Sequence, residues 1–367
     1  MKGRTPELAV VKVGTSSVTR SNGELDDDAL AKLCRDLAAA RGAGYPVVLV
    51  LSGAIAAGMP ALGLTRRPTD TGTLQAIAAV GQPRLFERVA SMLAAHGIVA
   101  GQVLLTPNDF VQRSQYLHAR ETLNRLLDLQ VIPVVNENDT IADDEIRYGD
   151  NDRLAALVSH LLGARTLLLL TDTGGLFTAD PGVDAGASLI EEIVEVDAAL
   201  EAVAGASRSI AGSGGMASKL AAGKIAAWSG VRAVIAAASA DNVVLDALEG
   251  RVVGTVIQPR SQRLASRKLW IAFARGAAGR IVVDAGARTA LMHGGRSLLP
   301  AGVRAVEGDF DVDDAVEVAG PDGRPFAKGL TRYGAHTLGT ILGRQTADLP
   351  DGAPHEVIHR DDLVMLP

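Results

Sequence analysis

The sequence predicts an α/β protein, an open and mainly parallel sheet flanked by helices, followed by a small β-rich domain. Three observations carry this expectation. Short β-branched or leucine-rich runs alternate with longer stretches of helical period, as in successive βαβ units. Nearly every run ends in small polar residues, the loop chemistry met at the carboxyl ends of parallel strands. After about Val256 the helical period fades, and short strand-like runs are separated by Gly, Pro and Asp turns.

In chain order, the expected strands are Val10 to Val13, Val47 to Leu51, Val103 to Leu105, Val131 to Val135, Leu167 to Leu170 and Val231 to Ile235. Between the first two, Leu30, Leu33, Cys34 and Leu37 recur at steps of three and four behind Asp26 to Asp28, and Gly42 and Gly44 close the stretch. That is a capped amphipathic crossover helix. Gln258-Pro259-Arg260-Ser261-Gln262-Arg263 reads as a connector. Beyond it, Ile281 to Val283, Val303 to Val306 and Ala315 to Val318 are short strands with little helical period around them. The expected organisation is an α/β domain over 1–258, a linker over 259–275, a β-rich domain over 276–353 and a tail over 354–367. At 367 residues the chain exceeds what one core usually holds.

Composition narrows the function classes. The net charge is −6, so nothing draws the whole molecule to phosphate backbones or anionic lipid, and a bound anion needs a local site. Aromatics make up 3% of residues, too few for a base-stacking platform. No apolar run approaches the roughly 18–20 residues of a membrane span, and the N-terminus lacks the apolar core of a secretory signal, so a cytoplasmic protein is expected. Cys34 is the single cysteine and reads as a packing residue.

Several segments can carry chemistry. Lys12 sits inside the first strand run, before Gly14-Thr15-Ser16, where an ammonium needs water or an anion. Gly212 to Lys219 (GSGGMASK) precedes an alanine-rich helical stretch, so its backbone N–H groups can approach phosphate, although the spacing is not that of a P-loop. Asn136-Glu137-Asn138-Asp139 and Gly149-Asp150-Asn151-Asp152 can hold an ammonium group, coordinate Mg²⁺ through water, orient lysines, or simply form turns. Thr171-Asp172, followed by Gly174-Gly175-Leu176-Phe177-Thr178-Ala179-Asp180-Pro181, is either a nucleotide-binding loop or a strand exit with two turns.

Together these segments resemble the amino acid kinase family, and in particular its members that phosphorylate glutamate and carry a C-terminal PUA domain. The resemblance runs in order through Val11-Lys12-Val13-Gly14-Thr15-Ser16, Ser52-Gly53-Ala54-Ile55-Ala56-Ala57-Gly58, Tyr116-Leu117-His118-Ala119-Arg120, the two Asn/Asp clusters, the Gly174 to Pro181 segment and Gly214-Gly215-Met216-Ala217-Ser218-Lys219. It implies an αβα sandwich and ATP-dependent phosphorylation of the γ-carboxylate of L-glutamate, with Mg²⁺, as the first step toward proline. It further implies that Lys12 and Lys219 contact the transferring phosphate and that Asp152 orients both. Ser52, Asn136, Asp139, Asp150 and Asn151 would hold glutamate. ATP would bind Lys12, Thr171, Asp172 and the segment Ser213, Gly214, Gly215, Met216, Ala217, Ser218 and Lys219. The pattern is departed from at His118, where the family often has asparagine, and at Ser213, where it often has threonine.

The resemblance also implies a homo-oligomer, proline as a feedback inhibitor and glutamate-5-semialdehyde dehydrogenase as the enzyme that consumes the acyl phosphate. A kinase for aspartate or N-acetylglutamate is the nearest alternative, disfavoured by the carboxylates available for a free α-ammonium and by the PUA-like tail. An RNA-binding protein is a more distant one. Residues 276–353 hold eight Lys or Arg against ten Asp or Glu, which leaves no basic stripe for RNA.

Overall fold

A computed structural model describes residues 7–20, 22–110, 112–141, 151–184, 186–206, 215–261, 263–274, 276–350 and 352–366. The chain divides into two compact units, Met1–Arg263 and Leu264–Pro367.

The first unit alternates strand and helix through most of its length: β1 Ala9–Val13, α1 Asp27–Gly42, β2 Val47–Leu51, α2 Ala54–Gly58, α3 Thr71–Ala94, β3 Ala100–Leu105, α4 Arg113–Asp128 and β4 Ile132–Glu137. It continues with α5 Asn151–Leu162, β5 Thr166–Thr171, β6 Glu192–Ile193, α6 Ala198–Ala206, α7 Met216–Trp228, β7 Arg232–Ala237, α8 Val243–Glu249 and β8 Thr255–Ile257. The strands form one sheet in the order β3-β4-β2-β1-β5-β7-β8-β6. All its pairings are parallel except β7 with β8. The six strand runs read from sequence are β1, β2, β3, β4, β5 and β7. The short β6 and β8 have too few residues to show a period.

Side-chain alternation along β1 assigns its two faces. Val11 and Val13 join Leu49, Leu51, Leu168, Leu170, Val234 and Ala236 in a core covered by Leu30, Leu33 and Leu37 of α1, Leu85 and Val89 of α3, and Val243 and Val244 of α8. Val10 and Lys12 therefore point to the opposite face, where α5 and α7 pack. Asp26 caps α1 by accepting from the backbone N–H groups of Asp28 and Ala29, as its acidic start predicts. Cys34 lies fully buried in this helix, and burial pushes its thiol up to about 12 against the lowering pull of Arg35.

The second unit is built on a five-stranded sheet. Its strands are β9 Gly279–Val283, β10 Val303–Gly308, β11 Ala315–Ala319, β12 Pro325–Leu330 and β13 Leu363–Met365, in the order β10-β9-β11-β12-β13. Ile281, Val283, Val316, Val318, Phe326, Leu338 and Ile358 fill its core. Within the segment expected as a linker, Ser266–Leu269 is α-helical and Trp270–Ala274 continues as a π-helix, with Leu269 and Ile271 buried. The segment expected as a tail contributes the buried Val357 and Ile358 and the edge strand β13. Gly279 and Pro350 lie inside the expected β-rich span, which also contains a ten-residue helix, Ala285–Gly294.

Candidate active site

Lys12 is the penultimate residue of β1, in register with Val50 of β2 and Leu169 of β5. An ammonium in the middle of a sheet, 3% exposed, requires a partner. That partner is Asp152, the second residue of α5, whose Oδ1 lies 2.6 Å from Lys12 Nζ. Lys219, in the first turns of α7, brings its Nζ within 3.4 Å of Oδ2 of the same carboxylate. The Ser218 hydroxyl lies 2.6 Å from Asp152 Oδ2 and 2.9 Å from the Gly215 carbonyl, and its single hydrogen can serve either acceptor.

The two ammonium groups and the carboxylate between them are all at least 95% buried, and Asp172 is the next carboxylate to act on Lys219. Helices α5 and α7 both begin here, so their N-terminal N–H groups add partial positive charge to the same place. Gly14 lies beside Lys12, and a Cβ built there would touch Lys12 Nζ at an ordinary contact distance of 3.6 Å. The arrangement is suited to an incoming phosphate group. Burial works to raise the Asp152 carboxyl, but the ammonium groups of Lys12 and Lys219 and the Ser218 hydroxyl outweigh it and hold the group below the usual range. Lys219 is lowered, first by burial and then by the like charge of Lys12, against the opposing pull of Asp152 and Asp172.

Beside this ionic cluster lies an amide cluster, joined to it through the consecutive residues Asn151 and Asp152. Asn151 Nδ2 donates to Ser52 Oγ at 2.8 Å and to Asn136 Oδ1 at 3.0 Å. Ser52 directly follows β2, and Gly53 behind it turns the chain into α2 at φ +121°, a conformation that side-chain-bearing residues rarely adopt. Asn136, in β4, donates from Nδ2 to Gln82 Oε1 at 2.7 Å, while the backbone N–H of Glu137 donates to Asn136 Oδ1 at 2.8 Å and to Asn151 Oδ1 at 3.3 Å. Asp139, two residues past β4, has its carboxyl pushed up to about 6 by burial, with Arg67 pulling the other way.

Thr171 ends β5, the neighbour of β1, and donates from Oγ1 to Asp172 Oδ1 at 3.0 Å. Gly215 caps α7, and Met216 and Ala217 are its first residues. Asp150, Ser213 and Gly214 lie outside the described residues. His118 is exposed on α4. Gln82 was not singled out from sequence, because one of two glutamines in a 24-residue helix looks like any polar position. Its signal is the glycine before it, discussed below.

Comparison with known proteins gives the family of the chain. The amino acid kinase family model matches residues 7–237, and the PUA domain model matches residues 279–352. Glutamate 5-kinase of Mycobacterium avium (strain 104) is 45% identical over 361 residues, covering 98% of this chain and 97% of that protein. Glutamate 5-kinase of Moorella thermoacetica is 44% identical, covering 97% and 96%. Among solved structures, the carbamate kinase from Giardia lamblia bound to AMP-PNP shares the fold at a TM-score of 0.50 and 18% identity, covering 70% of this chain and 99% of that one. With one matched model running from β1 through β7 and full-length relatives at this identity, the chain belongs to the amino acid kinase family, in its glutamate 5-kinase branch with a C-terminal PUA domain.

Proposed function

We propose that the protein transfers the γ-phosphoryl group of ATP to the γ-carboxylate of L-glutamate, giving L-glutamyl 5-phosphate and ADP, the first step toward proline. The observation that carries the site assignment is Asp152 held between two buried lysines, beside an amide cluster that begins one residue away. A γ-carboxylate oxygen attacks the γ-phosphorus in line, an O–P bond forms, and the bond to the β,γ-bridging oxygen breaks. The attacking carboxylate is already ionised at neutral pH, so no general base is needed. Rate enhancement then comes from positioning and from charge stabilisation.

In this reading Lys12 and Lys219 face the transferring phosphoryl group and Asp152 keeps both aligned, with Ser218 steadying Asp152. Ser52, Asn136, Asn151, Asp139 and Asp150 surround glutamate, the carboxylates facing its α-ammonium. Thr171, Asp172 and the Ser213 to Lys219 segment hold the nucleotide. Mg²⁺ fits this scheme as an ion carried in on the nucleotide. Both Asp152 oxygens already face ammonium groups, and no group of three His, Cys, Asp or Glu is arranged for a metal among the described residues. A homo-oligomer, proline as a feedback ligand and handover of the acyl phosphate to glutamate-5-semialdehyde dehydrogenase belong to the same proposal and rest on the resemblance. A cytoplasmic location is proposed with them. No described helix is long and apolar enough to cross a membrane.

The test is ADP release measured with glutamate, aspartate and N-acetylglutamate in turn, with hydroxylamine present to trap an acyl phosphate. Hydroxamate formed with glutamate alone is the expected result, and equal or greater rates with aspartate would overturn the substrate assignment. In Lys219→Ala, kcat should fall on the order of 10²-fold or more, comparable to losing a preorganised charge-stabilising donor. A near-normal kcat would remove Lys219 from the mechanism.

A further inference from the structure

The amide cluster has a direction, set by the backbone N–H of Glu137, which donates to Oδ1 of both Asn136 and Asn151, and its far end is held by one further side chain. Asn151 Nδ2 spends both its hydrogens, on Ser52 Oγ and on Asn136 Oδ1. Because Ser52 Oγ accepts from Asn151, its own hydrogen is left to donate elsewhere. Asn136 is polarised the same way, with Oδ1 taken by two donors and Nδ2 turned toward Gln82. The cluster is thereby a set of donors, complementary to a carboxylate. Gln82 Oε1 is the side-chain acceptor that holds the far end.

Gln82 reaches this point through close helix packing. A Cβ at Gly81 would lie 1.8 Å from the Ala54 carbonyl oxygen and 2.5 Å from the Gly58 nitrogen, so α3 runs directly against α2 there. Helix α2 is the one that follows Ser52 and Gly53. The contact that fixes Gln82 on α3 therefore also fixes the loop that carries Ser52.

We propose that Gln82 is a positioning residue for glutamate. The backbone N–H of Glu137 sets which way the Asn136 and Asn151 amides face, and Gln82, by accepting from Asn136 Nδ2, holds that group in place, so that Ser52 and Asn136 present hydrogens to the substrate. This rests on the glutamate-site assignment above. Gln82→Met keeps the length and helix preference but has no comparable acceptor, and Gln82→Asn pulls the acceptor back by one methylene.

Both variants should raise the glutamate KM about tenfold, the equivalent of one net hydrogen bond of about 1.4 kcal/mol, and leave the ATP KM within about twofold. The decisive measurement is a double-mutant cycle with Asn136→Ala, in which the Gln82→Met effect should largely disappear because the group it acts through is gone. A Gln82→Met effect of undiminished size in the Asn136→Ala background overturns the proposal, as does an equal rise in both KM values accompanied by a lowered Tm. If Asn136→Ala itself leaves the glutamate KM unchanged, the glutamate-site assignment fails and this inference fails with it. If Asn136→Ala raises that KM and neither Gln82 variant does, the inference about Gln82 fails alone.

Discussion

Replacing Asp152 with asparagine removes the one negative charge between two buried ammonium groups while keeping nearly the same shape. In the parent protein Lys12 Nζ sits 2.6 Å from Oδ1 and Lys219 Nζ 3.4 Å from Oδ2. In Asp152→Asn, one of those ammonium groups meets an amide NH₂ and the other a neutral oxygen. Breaking a buried ion pair from one side costs about 3–5 kcal/mol, which for a domain of this size lowers Tm by roughly 10 °C. The loss has a ceiling, because a buried lysine can shed its proton. Lys219 is already held below its ordinary value, and without Asp152 it falls further. Between that lowered value and the unfolded value near 10.4, the unfolded chain binds more protons, so the variant gains stability as pH rises. Thermal melts of both proteins at pH 7 and pH 9, with and without MgATP, read this directly. The gap should be widest at pH 7 without nucleotide, and should narrow at pH 9 and when phosphate oxygens replace the missing charge. A gap that is the same in all four conditions would refute the electrostatic account of this cluster.

Two further outcomes are expected. The Asp139 carboxyl, pushed up to about 6, is neutral at lower pH and cannot then pair with an ammonium group. The kcat/KM for glutamate should therefore fall as pH drops through about 6, and Asp139→Asn should lower kcat/KM and abolish that limb. A limb that survives the substitution would assign it to another group. The same raised value means that stability contributed by this carboxyl is present below about pH 4 and lost as pH rises through about 6, so Asp139→Asn should stabilise the protein at pH 7 in a melt. Gly81→Ala, which forces a methyl against the Ala54 carbonyl, should cost about 3 kcal/mol or more, whereas Gly72→Ala in the same helix meets nothing within 4 Å and should be neutral or slightly stabilising. Equal Tm values for the two alanine variants would remove the close-packing argument.

What could be read from sequence divides along physical lines. The central strands were legible because each is dominated by apolar residues, as befits strands covered on both faces. Lys12 stood out because it interrupts such a run, and its partner Asp152 was legible only as one of two acidic clusters. Nothing in spacing says that Lys12 and Asp152 form an ion pair; β1 and α5 meet only in three dimensions. Gln82 was invisible for the opposite reason. It sits between Gly81 and Pro83, and the feature that gives it a role is the absence of a side chain at Gly81. The turns at 266–274 and the strand at 363–365 went unassigned because runs of three to five residues carry no measurable period, and their order comes from burial of Leu269, Ile271, Leu363 and Val364.

The placement of Cys34 has a practical side. With its thiol pushed up to about 12, the thiolate fraction at pH 7 is on the order of one in 10⁵, and the sulfur is sealed inside α1 away from solvent. The folded chain is thus silent toward maleimides and mild oxidants. A single cysteine introduced at a chosen surface position, such as exposed His118 on α4, would react alone, so a fluorophore or spin label can be attached there without first removing the native residue.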